Sequence, residues 1–186
     1  PPLHQEQTDT PVPSVEPLDF GRRRAVILVP HNLQRIFVLL RVEVDLFQVA
    51  REGNAAQMRE MIASGADLKG KDTSGRNALM QAVVFGNQAT TLVLLANSPD
   101  LEGKDGFGFN PLTLSVRYGD TEMIKILLEH GASVKSTMED GSTPLIFAAL
   151  EGQISAVRLL LEYNSDVNFR TNYGESALIV ASFEGY

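Results

Sequence analysis

The sequence predicts an all-α solenoid: helix-turn-helix units stacked side by side, joined by β-hairpin loops and preceded by an N-terminal extension. Three observations carry that expectation. Glycine recurs at a fixed step of 33 residues in two phases, Gly75, Gly108, Gly141 and Gly174 in one, and Gly53, Gly86, Gly119, Gly152 and Gly185 in the other. The stretch Asp105 to Thr137, DGFGFNPLTLSVRYGDTEMIKILLEHGASVKST, reads as one tile of an array whose pattern returns on both sides. Within each tile, two runs with helical spacing are separated by glycine. A period of this length marks one supersecondary unit stacked on copies of itself, because no such unit buries its apolar face alone.

Each element of the tile has a physical reason. In Asn110-Pro111-Leu112 and Thr143-Pro144-Leu145 a polar side chain able to accept from free helix N–H groups precedes proline. Proline's fixed φ and missing donor suit the first helical position. About eight residues later Gly119 and Gly152 offer the left-handed conformation that ends a helix. Asp120 then caps a second helix, whose Met123, Ile124, Leu127 and Leu128 share one face. That helix ends near Gly131. A short extended piece, Ala132 to Thr137, leads into the turn-forming Glu139-Asp140-Gly141.

The pattern resembles the ankyrin repeat, with its 33-residue unit and its Thr-Pro-Leu-His-x-Ala motif. The resemblance covers about residues 42–186: a divergent unit 42–71, full units 72–104, 105–137 and 138–170, and a partial unit 171–186. The fourth position of the motif departs throughout, with Met80, Thr113, Ile146 and Ile179 where the family usually has histidine, which removes a polar link to the neighbouring loop.

Residues 1–20 are proline-rich and mixed in charge, an extended arm that either stays free or orders along another subunit. Residues 21–41 join Arg22-Arg23-Arg24 and an apolar run to an amphipathic pattern, Leu33, Ile36, Phe37 and Leu40. They are expected to cap the first unit, with docking to a partner or a membrane surface as the alternative. No uninterrupted apolar run is long enough to span a bilayer. Unit one lacks the opening turn and proline, so its first helix is expected to run straight on from the cap. In unit two, Thr90 and Thr91 replace the usual apolar pair, and a softer spot is expected there. The last unit stops after its first helix. That leaves an apolar end uncovered, to be masked by chain beyond Tyr186, the favoured expectation, or by a partner.

Composition narrows the chemistry. The 186 residues, 44% hydrophobic, suffice for a core that runs as a stripe along the stack. The net charge is −7, from 16 Lys and Arg against 23 Asp and Glu, and the basic residues are scattered, which argues against nucleic acid as the principal partner. Without cysteine there is no disulfide, thiolate nucleophile or thiolate-bound metal. An intracellular, cytoplasmic location is expected, with an organelle as the alternative. His4, His31 and His130 show no ligand spacing, and Gly106-Phe107-Gly108 lacks the lysine of a phosphate loop. No catalytic residue, metal or cofactor is expected, and the chain is expected not to be an enzyme.

The resemblance implies recognition of other proteins through a concave face lined by hairpin tips and first helices. Carried over by position, the protein-binding candidates are Arg76, Phe107, Phe109, Glu139, Asp140 and Tyr173 at the tips, and Phe85, Arg117, Tyr118, Leu150 and Phe183 along the groove. Such a face is rich in aromatic and arginine side chains, as interface hot spots are. For Phe85, Leu150, Phe107 and Phe109, packing between adjacent units is the competing reading. Two functions follow from the likeness: a non-catalytic scaffold or adaptor, alone or as a subunit of a larger complex, or the regulatory or targeting segment of a longer enzyme or membrane channel. Asn168, in Asp166-Val167-Asn168, further suggests a substrate for a modifying enzyme, because its hairpin position is one where similar proteins are hydroxylated.

Overall fold

Among the described residues, five first helices stand in one row and four second helices in another. The computed structural model describes residues 45–97 and 99–186; the proposed arm, the cap, residues 42–44, His4 and His31 lie outside them. Among the described residues the elements are α1 (Leu46–Glu52), α2 (Ala55–Ala63), α3 (Ala78–Val84), α4 (Gln88–Leu95), α5 (Pro111–Arg117), α6 (Thr121–Glu129), α7 (Pro144–Leu150), α8 (Ile154–Glu162) and α9 (Ala177–Glu184). No strand occurs among them. In the first row α1, α3, α5, α7 and α9 pack successively; in the second α2 packs on α4 and α6 on α8. The joint between α4 and α6 is the weak one in its row.

The helix starts follow from capping chemistry. Asn77 accepts from the Met80 amide and Asn110 from Thr113, both at 2.9 Å, and the Thr113 hydroxyl returns the contact by accepting from the Asn110 amide at 2.9 Å. That reciprocal pair is a capping box, worth about 1 kcal/mol for its cap residue. Thr113 therefore supplies a local polar link at the position where the family usually has histidine. Asp120 accepts from the Met123 amide at 3.0 Å, as its place in the sequence predicts. The first helices end where Gly86, Gly119 and Gly152 adopt φ of 66°, 67° and 64°. This is left-handed backbone that costs glycine nothing.

Two local expectations need correction. The first helix of unit one does not run on from a preceding helix. Asp45 has extended backbone (φ −77°, ψ 126°) and accepts from the Phe47 amide at 3.0 Å, so α1 starts afresh with its own cap. The piece Ala132 to Thr137 is not straight either: the Ser133 hydroxyl accepts from the Lys135 amide at 3.1 Å and folds it into a turn. Asp67, Asp100 and Asp166 bend the equivalent segments in the same way, each accepting from the amide two residues on. Short polar side chains with an acceptor two residues from an amide favour this turn.

The core is a stripe along the stack. Leu79, Leu112 and Leu145 recur at one register position and are buried, together with Met58, Leu94, Met123, Leu127 and Leu160 from the second helices. Thr90 and Thr91 on α4 are fully buried, and neither hydroxyl has a hydrogen-bond partner. A buried unpaired hydroxyl costs about 1–3 kcal/mol.

Candidate functional site

The loops between units fold into tight tips because one side chain organises each turn. The Asp72 carboxylate accepts from the Ser74 and Arg76 amides at 2.8 and 2.9 Å, and Asp105 from Phe107 and Phe109 at 2.9 and 3.0 Å. In the next unit Met138 stands at that position and has no acceptor. There Asp140 takes over and accepts from the Ser142 amide and hydroxyl, both at 2.8 Å. The Thr171 hydroxyl serves the last tip, accepting from Tyr173 and Glu175 at 3.2 Å. Neighbouring tips are tied in turn. The Gly106 amide donates to Ser74 O at 2.8 Å, the Asn172 amide to Asp140 O at 2.9 Å, and the Asn172 side chain to Glu139 O at 3.0 Å. Lys71 and Lys104 each reach one unit forward to a backbone carbonyl, Lys104 O at 2.8 Å and Thr137 O at 2.6 Å.

The structure divides the candidate residues into two groups. The first group ties units together. The Arg76 guanidinium donates from Nε to the buried Asp105 carboxylate at 3.1 Å and is itself mostly covered. Phe109 is half-buried, its ring 5.6 Å from that of Phe147 and tilted by 55°, and the Arg117 guanidinium lies over the Phe109 ring, 5.0 Å from its centroid. A cation on an aromatic face is worth about 0.5–1 kcal/mol at an exposed site. Asp140 is occupied by its own turn, although it remains exposed.

The second group faces solvent. Phe107 at a tip is 71% exposed, Tyr173 at another 78%, and Phe85 and Tyr118 at the ends of α3 and α5 are 55% and 51% exposed. Leu150 and Phe183, at the corresponding ends of α7 and α9, are exposed as well, as is Glu139. Large apolar side chains held in water by rigid helix ends and braced turns are a cost in a free chain and a contact surface in a complex. Of the competing reading, packing between units, Phe109 is the residue that does so; Phe85, Leu150 and Phe107 remain open to solvent.

Sequence reasoning anticipated an uncovered apolar end but did not name its residues. They are Ile154 and Leu161 on α8, Val167 in the loop, Leu178 on α9, and Tyr186, all exposed. The signal was present in the register, since Leu178 is the fourth member of the column Leu79, Leu112, Leu145. Among the described residues no group of three or more His, Asp or Glu side chains is placed to hold a metal ion, and no helix is long and apolar enough to cross a membrane. His130 closes α6, with Nδ1 2.8 Å from Ile126 O.

Comparison with known proteins agrees with the geometry. A search of curated proteins finds no match to this chain. The family model described as ankyrin repeats (3 copies) matches residues 46–138 and again 133–186, which together span every described helix. The chain belongs to the ankyrin-repeat family.

Proposed function

We propose that this chain is a non-catalytic scaffold or adaptor that grips a partner protein on the side formed by the tips and the first helices, its concave face. Ankyrin repeats are protein–protein interaction modules and typically non-catalytic. The observation that carries the finer reading is the solvent-exposed set Phe85, Phe107, Tyr118 and Tyr173, presented from helix ends and braced turns. Rigid aromatic anchors lose little side-chain entropy on binding and are enriched among the residues that dominate interface energies. Glu139 and Asp140 add negative charge beside them, which favours a partner with a basic or polar rim. The net charge of −7 makes a polyanion such as nucleic acid a poor ligand for this surface. The proline-rich residues 1–20, outside the described residues, are a candidate contact for another subunit, and an intracellular compartment is compatible with a chain that has no cysteine.

Cross-linking mass spectrometry in native extract tests this. The comparison is between the natural chain and a Phe85→Ala, Phe107→Ala, Tyr118→Ala variant whose helical circular dichroism is unchanged. Partner peptides cross-linked around the tips should be lost from the variant. Recovery of the same cross-links at the same yield would overturn the assignment of this face.

A further inference from the structure

The joint between units two and three is built differently from the joints on either side of it. Between units one and two, α2 packs directly on α4, and the Asn87 side chain adds a clasp. Its Nδ2 donates to Ala50 O and Arg51 O, both at 2.8 Å, at the end of α1 where helix carbonyls lack intrahelical partners. Between units three and four, Gln153 makes no such clasp among the described residues, but α6 packs directly on α8. Between units two and three, α4 and α6 make the weakest contact of the row. The clasp has no counterpart there among the described residues, for a chemical reason. Asp120 stands one repeat after Asn87, and a carboxylate has no proton to donate to Val83 O and Val84 O, the equivalents of the carbonyls that Asn87 binds. It accepts from the Met123 amide at 3.0 Å instead. Asn87 lies so close over Gly53 that a Cβ there would meet it at 2.5 Å, whereas Asp120 stands 3.8 Å from the same point on Gly86. On the α4 side Thr90 and Thr91 are buried with unpaired hydroxyls, so tighter closure gains little.

The rest of this joint is tied. Helix α3 packs on α5, the Gly106 amide donates to Ser74 O, and Arg76 is paired with Asp105. In the loops that follow α4 and α6, the Glu102 carboxylate accepts from the Ser133 amide at 3.0 Å and from the Ser136 hydroxyl. Tips and loops therefore form a pivot. The untied end lies where α3 and α5 finish and α4 and α6 begin, beside Gly86 and Gly119. Phe85 and Tyr118, both about half exposed, are the residues immediately before those glycines.

We propose that the stack rocks at this joint, α1 to α4 moving against α5 to α9, and that the motion sets the spacing of Phe85 and Tyr118, so that one binding face fits partners of different width. A partner that bridges the two rings selects one setting from those the free chain visits. This functional consequence rests on the binding face proposed above. The rocking is a property of the free chain and is measured there, so the two readings can fail separately.

The chain has no cysteine, so nitroxide labels go only where cysteine is introduced. Ala56, Ala89, Glu122 and Ser155 share one exposed register position in the first turns of α2, α4, α6 and α8. The pairs Ala56→Cys with Ala89→Cys, Ala89→Cys with Glu122→Cys, and Glu122→Cys with Ser155→Cys sample the three joints by dipolar broadening in frozen solution. The middle pair should give a distance distribution about twice as wide as the outer two. Asp120→Asn restores the donor and keeps a helix-capping side chain, and should narrow that distribution to match them. In native-extract cross-linking the same variant should capture fewer distinct partners around Phe85 and Tyr118, and an unchanged set would overturn the functional consequence. Equal widths at all three joints, or a middle distribution indifferent to Asp120→Asn in a variant with unchanged circular dichroism, would overturn the rocking itself.

Discussion

Helices α7 and α9 occupy the same place in successive units and have opposite surroundings. In α7, PLIFAAL, every residue from Pro144 to Ala149 is buried; in α9, ALIVASFE, Val180 alone is. Their sequences are comparably apolar, so composition does not make the difference. The neighbour does: α7 is flanked by α5 and α9 and backed by α8, whereas α9 packs on α7. In this architecture a residue is interior because the next unit covers it, and stability accrues by nearest-neighbour interfaces.

Several changes would sharpen or break that comparison. The largest effect is expected from Leu112→Ala, at the centre of the stack, which should cost about 2–5 kcal/mol in urea unfolding. The equivalent Leu178→Ala should cost within about 0.5 kcal/mol, as exposed substitutions do. Similar losses at both sites would contradict the neighbour argument. Next in size is Arg76→Ala. It leaves the Asp105 carboxylate buried with its two backbone amides but without its cation, and about 1–3 kcal/mol should be lost, between the values for exposed and buried pairs. That loss should shrink in high salt, and a salt-independent value would mean that packing of the arginine stem dominates.

Smaller and opposite in sign is Thr91→Val. The hydroxyl is buried without a partner at a register position held by Met58, Ile124 and Val157 in the other units, so an isosteric methyl should stabilise by about 1 kcal/mol. The gain should appear as slower amide exchange in α4, and destabilisation would show that the hydroxyl has a bonding role. The smallest effect on folding is expected from Phe107→Ala and Tyr118→Ala, each within about 0.5 kcal/mol by thermal melting, since both side chains face water.

Much of the fold was readable because the array repeats its local chemistry. Asn110 before Pro111, Asp120 before Thr121 and the glycine after each first helix state their roles without tertiary context, and the structure places caps and helix ends there. The start of α1 was misread because its cap, Asp45, lacks the proline that marks α5 and α7. The turn at Ser133 was missed because a single hydroxyl directs it, a weaker signal than a glycine or proline pair. At the candidate site the residue types were legible and their engagement was not. Arg76 and Phe107 each sit one position from a tip glycine, after Gly75 and before Gly108, yet one is drawn inward by Asp105 and the other is left in water. That choice depends on a carboxylate 29 residues further along, which no local pattern reveals.

The most direct test of the neighbour account is native-state hydrogen exchange resolved by helix. Amides of α5 and α7, covered on both sides, should exchange only through global unfolding, and those of α9 at least a hundredfold faster through local opening of the end unit. Equal protection in α7 and α9 would contradict it.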